Sequence, residues 1–565
     1  MYSTGPPSQS LSGTPTPSSK NSRKWIGFVE YSRSCATAGG AATLNAAARA
    51  RVEISSVRIE TPEPLTRRFV RGSSVVRGCS RSIVAKAGTA RQRPSARPIT
   101  AAPLAALSPA RYKHTMFKHP DPTIRAAAQR AFDALLDAIP VSSISAQGLN
   151  LDEGAQHFSG VLEKAGLRAE IWDGEGAPTV FAERPAADGR PTLLFYGHYD
   201  VQPPDPLDDW DSPPFEPTLR DGAIFGRGAG DNKGQLLAHV GAIAELIARD
   251  ELDIGVKFLV EGEEEIGSPH VAAVAEAHAD RLHADLALTA DAPVHDDGSP
   301  VVIFGVRGLL FIEVELAGAP ADLHSGNRGG IAPTPAWELV HALASLRAAD
   351  GRVLVPGFYD VVRDPEPAEI QMLDRLPVNQ QQLTDDLGEA GAARWQDESP
   401  WRALGFKPNC NIAGITSGYQ GTGAKTVIPS RASAKIDFRL VADQDPDAVF
   451  EAVANHLRDI NPNVGVRKLA AVPPSATSPE NPRVQSVIEA VRHATGRDPL
   501  LRPRLGGTTP DYVFTQVLGI PSVLVPYGPT NMNHHAPNER MTIEAIERGA
   551  ACTVEICRAL GQEEA

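Results

Sequence analysis

Four short apolar runs, each followed by a residue able to hold a metal or a proton, constrain this chain more than any other feature. PTLLFYGHYDV, IGVKFLVEGEEE, DLALTAD and GIPSVLVPYG are each long enough for a buried strand, and QLLAHVGAIAELIAR, behind a glycine-rich loop, reads as a helix. Strands alternating with helices predict an α/β domain whose sheet is covered by helices. Loops at the ends of such strands face an open crevice, so the polar residues there are the first candidates for chemistry.

The pattern changes near Gly305. GVRGLLFIEVELAGAP alternates apolar with other residues, a helix follows from about Pro335 to Ala349, and KTVIPSRASAKIDFRLVADQDP with AVFEAVANHLRDI continues a strand and helix order suited to a small layered α+β unit. Another helix then starts in ENPRVQSVIEAVRHATG, and GIPSVLVPYG returns the chain to the first domain. The expected division is therefore 116–303 for the first part of the larger domain, 304–478 for an insertion, and 479–565 for the second part. Residues 1–115 are rich in Ser, Ala, Pro and Arg, poor in acids and without sustained periodicity. They read as a disordered leader or a mis-assigned start, because Met116 stands just before HPDPTIRAAAQRAFDALLDAI, where Asp121 or Thr123 can cap a helix.

Composition narrows the function. Charged residues make up 22% of the chain and hydrophobic ones 42%, and no run approaches the ~20 apolar residues of a membrane span. A formal net charge of -13 argues against nucleic acid, whose binding needs a basic face. The five cysteines form no CxxC pair, which fits reduced thiols in the cytoplasm. Cys552 and Cys557 stand five apart on an expected helix and so point to different faces, which disfavours a redox pair.

The candidate chemistry lies at the strand ends. In YGHYDVQ, His198 and Asp200 sit two apart, so that one can ligate a metal while the other orients it. GRGAGDNKGQ puts Asp231 in a glycine-rich turn, where a backbone without bulky side chains can bring a carboxylate close to a buried cation. Glu263, Glu264 and Glu265 repel one another unless a cation or solvent separates them. Asp291 follows LALTA, and His535 lies in NHHAPNER. Singly each has an ordinary explanation: a structural pair, a helix cap, a solvated turn. Together, two histidines and at least three acids at the strand ends of one domain are the donor set that paired zinc ions require.

YGHYDVQ, GRGAGDNKG, EEEIGS, DLHSGNRGG and HAPNE, in this order from about Met116 onward, resemble the motifs of the zinc-dependent aminoacylase, carboxypeptidase and dipeptidase family, which includes carnosinase-like dipeptidases. The resemblance implies a di-zinc catalytic domain, with a central mixed sheet flanked by helices, and a smaller inserted α+β lid through which two copies form a homodimer. It implies that Asp231 bridges two divalent ions, zinc with manganese or cobalt as alternatives, that His198 and Asp291 bind one ion, and that Glu265 and His535 bind the other. Glu264 becomes the general base, Asp200 the orienting carboxylate, and His324 a group that reaches the partner's site and stabilises the oxyanion. Thr426, Arg439 and Thr508 match positions that hold the substrate's carboxylate.

The expected reaction is metal-dependent hydrolysis of a dipeptide or short peptide by water activated between the ions. The nearest alternative is an N-acyl-amino-acid deacylase with the same chemistry, and a more distant one is an inactive binding protein of the same fold. Pro293, two residues after Asp291, departs from the aromatic that carnosinase-like members carry near the substrate.

Overall fold

The computed structural model describes residues 116–563 except Asp188 and Asp397, so the expected leader lies outside the described residues. Asp121 caps the helix Pro122–Ala138, its carboxylate accepting from the Thr123 N–H at 2.7 Å, and Ile124, Ala128, Phe132 and Leu135 are buried on one face.

The central element is an eight-stranded mixed sheet. Its order is Arg168–Trp172, Thr179–Arg184, Gly255–Glu261, Thr192–His198, Leu286–Thr289, Ser522–Leu524, Val301–Ile303 and Leu500–Arg502. The four strands carrying the apolar runs lie side by side and parallel, so their carboxyl ends share one edge. Strand alternation splits the core into two layers. Leu193 and Phe195 pack with the helices Pro122–Ala138, Lys233–Ala248, Pro482–Thr495 and Ile543–Leu560, while Leu194 and Tyr196 face Val271, Val513 and Phe514. Lys233–Ala248 is buried almost all round, as its lack of a polar face requires.

Between Val301–Ile303 and Pro482–Thr495 the chain builds an antiparallel sheet of four strands, ordered Asn409–Ser417, Arg431–Leu440, Gly308–Ala317 and Gly465–Val472. One face carries Leu310, Ile312, Val314 and Ile436 against Leu339 and Leu343 of helix Pro335–Leu346 and Val453 and Leu457 of helix Pro446–Ile460. The other face carries Leu309, Phe311, Asp437 and Arg439, none of which belongs to this core. The helix expected to reach Ala349 stops at Leu346, and Arg347 turns to extended backbone.

The segment around Pro365 to Pro400 forms the helices Pro367–Arg375 and Gln380–Ala393 and leads into Pro400–Phe406. Leu373, Leu376 and Phe406 pack with Trp401 and with Leu500 of the large sheet. Buried Glu369 pairs with Arg363 at 2.8 Å and Arg504 at 3.1 Å, tying this segment to the loop after Leu500–Arg502. No described helix is long and apolar enough to cross a membrane.

Candidate metal centre

Seven of the sequence-predicted residues converge at the shared edge. Thr192–His198 ends on His198, whose ring is fully buried. Its Nδ1 lies 3.3 Å from Asp200 Oδ1 and 3.1 Å from the Asp200 carbonyl, while Asp200 also accepts from the backbone N–H groups of Glu264 and Glu265 at 3.3 and 3.1 Å. Asp200 thus fixes both the imidazole and the turn bearing the two glutamates.

The other nitrogen, His198 Nε2, is buried and makes no hydrogen bond in the described structure. Around it stand Asp231 Oδ1 at 3.2 Å, Asp291 Oδ2 at 3.6 Å and Glu264 Oε2 at 3.9 Å. His535 Nε2 approaches the second oxygen of the same aspartate, Asp231 Oδ2, at 3.2 Å and Glu265 Oε2 at 3.0 Å. Asp231 therefore offers one oxygen to each imidazole. Two groups bring their donor atoms within 4.8 Å of one another: His198, Asp231 and Glu265, and His198, Glu264 and Asp291.

This donor set fits divalent cations. Without a cation, carboxylates this close repel, and protons must take up the excess charge. Burial, reinforced by the Asp231 charge, raises the Asp291 pKa; burial likewise raises Glu264 well above the carboxylate range, opposed by His198 and reinforced by Asp291, Asp231 and Glu265. Burial lowers the affinity of the His198 ring for a proton, but Asp200, Asp231 and Asp291 overcome it and hold the ring well above the ordinary imidazole value. Asp231 and Glu265 raise His535 to about 10. Ligands must shed such protons to bind a metal. Calorimetric titration of the cation-free protein with zinc at pH 7, in two buffers of different ionisation enthalpy, is therefore expected to show net proton release and an affinity that rises with pH; a buffer-independent heat would contradict it.

The Asp231 turn follows from its glycines. Gly228 has φ 82, and a Cβ there would lie 2.6 Å from Val201 Cγ1; at Gly230 it would lie 2.3 Å from Met532 Cγ. Asp231 is not the cap of Lys233–Ala248, since that position falls on Asn232, whose Nδ2 donates to the Ala290 carbonyl at 2.6 Å.

Glu539, the glutamate of HAPNE, was given no role by sequence reasoning, yet it organises the turn. Its fully buried carboxylate accepts from Gly228, Gly230 and Asp231 N–H at 2.9, 2.8 and 3.0 Å and pairs with Arg227 at 2.7 Å. Gln202 also went unremarked, although its Nε2 donates to Glu265 Oε2 at 2.9 Å. Replacing Glu539 with Ala strands a buried arginine and three N–H groups, and should cost about 3–5 kcal/mol of stability. Chemical denaturation of the cation-free protein measures it; a loss below about 1 kcal/mol would contradict the assignment.

The remaining predicted residues form two separate pairs. Arg439 Nη1 donates to Thr508 Oγ1 at 2.9 Å. His324, on a two-residue strand paired with Val427–Ile428, and Thr426, just before that partner strand, are exposed neighbours linked by Ser325 N–H to the Thr426 carbonyl at 3.2 Å. Among the described residues no hydrogen bond or ion pair joins His324 or Thr426 to the cluster. Cys552 and Cys557 are buried, and burial pushes each thiol up to about 12, which leaves them inert as nucleophiles at neutral pH.

The chain matches the model of peptidase family M20/M25/M40 over residues 194–559. It is 30% identical to human Beta-Ala-His dipeptidase over 395 residues, covering 67% of this chain and 78% of that protein, and 29% identical over 408 residues to a Cys-Gly metallodipeptidase of Schizosaccharomyces pombe, covering 69% and 84%. Among solved structures, an M20 family metallo-carboxypeptidase from Sulfolobus solfataricus superposes with a TM-score of 0.71 at 35% identity, over 76% of this chain and 99% of that one. Human carnosine dipeptidase 1 gives 0.64 at 27%, over 78% and 98%. With its sheet, its strand-end donors and these likenesses together, the chain belongs to peptidase family M20/M25/M40.

Proposed function

We propose that this protein is a two-metal dipeptidase. The observation that carries the reading is Asp231, one carboxylate oxygen 3.2 Å from each imidazole, with Asp291, Glu264 and Glu265 around it. His198 and Asp291 would hold one ion, Glu265 and His535 the other, and Asp231 would serve both; zinc suits this nitrogen and oxygen set, with manganese or cobalt as alternatives.

When bound, the ions supply an activated water at neutral pH and polarise the scissile carbonyl. Glu264, at the mouth of the cluster, takes the water's proton as attack proceeds and hands it to the departing amine. Arg439 and Thr508, already hydrogen-bonded together, receive the substrate's terminal carboxylate. Asp200 keeps the His198 ring oriented throughout.

In this reading residues 304–478 act as a lid and dimerisation unit, with 116–303 and 479–565 forming the catalytic domain. Trp337 and Val340 on helix Pro335–Leu346, and Ile412 and Ile415 on the edge strand Asn409–Ser417, are exposed apolar side chains that a second copy would cover. His324 and Thr426, apart from their own chain's cluster, then complete the partner's site, where His324 donates to the oxyanion. Buried, unpaired Cys410, Cys552 and Cys557 accord with a cytoplasmic setting.

The test is hydrolysis by the full-length protein after chelation and again with zinc, manganese or cobalt, using a dipeptide panel beside N-acetyl and N-succinyl amino acids. Metal-restored cleavage of dipeptides is expected. Cleavage of N-acyl substrates alone would replace this reading with a deacylase, and no cleavage with any metal would overturn it.

A further inference from the structure

A cavity of about 750 Å³ is lined by Arg307 and Asn409 at one end of the four-stranded sheet, by the turn after helix Pro335–Leu346, and by the segment containing Gln380–Ala393 and Pro400–Phe406. Although the chain is acidic overall, cations dominate this wall. Of its basic residues, Arg363 and Lys407 are spent on Glu369 and Glu398. Arg307, Arg347, Arg352 and Arg394 have no ion-pair partner among the described residues, and the facing carboxylates are Asp350 and Asp364, the latter paired with Arg402 at 3.1 Å.

The register connects this cavity to the end of the substrate site. Arg439 pairs with Leu309 on one side and Asn409 on the other, so Arg307, two residues before Leu309, points to the same face on a diagonal from Arg439. Arg307 and Asn409 line the cavity, while Arg439 holds Thr508. Arg307 is buried and donates twice to the Gly506 carbonyl, at 2.9 and 2.8 Å, on the loop that carries Thr508. Burial, with the charges of Arg439 and Arg502 and against that of Asp437, pushes its guanidinium down to about 10. Trp395 and Leu404 give the cavity an apolar flank.

Resting on the dipeptidase reading, we infer that this cavity is an anion subsite for the leaving amino acid: Arg439 and Thr508 hold its terminal carboxylate, and Arg307, with Arg352 and Arg394 further out, receives a second acidic group on its side chain. The substrate class is then amides whose carboxyl-terminal residue is dicarboxylic. The glutamine or asparagine counterpart has the same shape and lacks the charge, so it measures the subsite alone.

The experiment compares kcat/KM of the metal-loaded, full-length protein for alanyl-glutamate and alanyl-glutamine. The acid is expected to lead by about tenfold or more, as a charge-assisted hydrogen bond allows, with the lead shrinking as salt rises. Arg307→Met should remove most of that ratio. Because Arg307 is buried, where substitution also perturbs packing, the exposed-side double variant R352Q/R394Q provides the second reading and should lower the ratio severalfold through KM. Cleavage of both substrates at equal efficiency, or a double variant that keeps the wild-type ratio, would overturn the subsite while leaving the dipeptidase intact. Failure to cleave either substrate would instead overturn the dipeptidase reading, and the subsite with it.

Discussion

Glu264→Gln is expected to lower hydrolysis by about 10²–10⁴-fold while the protein still binds its metal. The glutamine keeps the shape and leaves His198, Asp231, Glu265, Asp291 and His535 in place, but it cannot accept a proton from the attacking water. The main chain around it does not depend on the carboxylate, because Asp200 holds the Glu264 N–H at 3.3 Å and the Glu265 N–H at 3.1 Å. Side-chain exposure of 16% at Glu264, against 3% at Glu265, fits a base that meets solvent beside a ligand that does not. Steady-state rates and metal analysis on the same preparation separate the two roles: activity within threefold of wild type would remove Glu264 as the base, and loss of metal would make it a ligand.

His324→Ala should lower kcat by about 10²–10³-fold, the usual cost of losing one oxyanion donor, without reducing bound metal. The side chain is exposed, and its Nδ1 accepts from the Gly326 N–H at 3.0 Å, so its removal leaves no buried hole. Mixing makes the effect diagnostic. If His324 serves the partner's site, a dimer of one Glu264→Gln and one His324→Ala chain has one complete site. Random exchange makes half the dimers mixed, each with one of two sites intact, so about a quarter of wild-type activity should return. No recovery after verified subunit exchange would place His324 outside the partner's chemistry.

Most of the candidate centre was legible because its residues sit where short apolar runs end, and parallel pairing then carries those ends to one edge. The apolar runs ending near His198, Glu264 and Asp291 needed only local pattern to be placed. Glu539 was not legible: within NHHAPNER it reads as one more loop acid, and its contacts with Gly228, Gly230 and Asp231 span more than 300 residues of sequence. The grouping of the substrate-side candidates was hidden for the same reason. Arg439 finds Thr508 through long-range packing, whereas Thr426 finds His324 through a two-residue strand pair too short to leave a periodic signature. The helices between Pro367 and Phe406 attach through Glu369 and Arg504 to the loop after Leu500–Arg502, a buried ion pair between residues 135 apart in sequence that no local pattern announces.

In the proposed two-metal reading Asp231 is the central residue, one carboxylate serving both metal positions. The most direct test is a zinc titration of the cation-free, full-length protein and of Asp231→Asn, with bound metal and dipeptide hydrolysis read from the same samples. Two ions per wild-type chain, activity that returns with them, and loss of both tight binding and hydrolysis in Asp231→Asn are the predicted results. Hydrolysis without metal, or an Asp231→Asn protein that still binds two ions tightly, would contradict the bridging site.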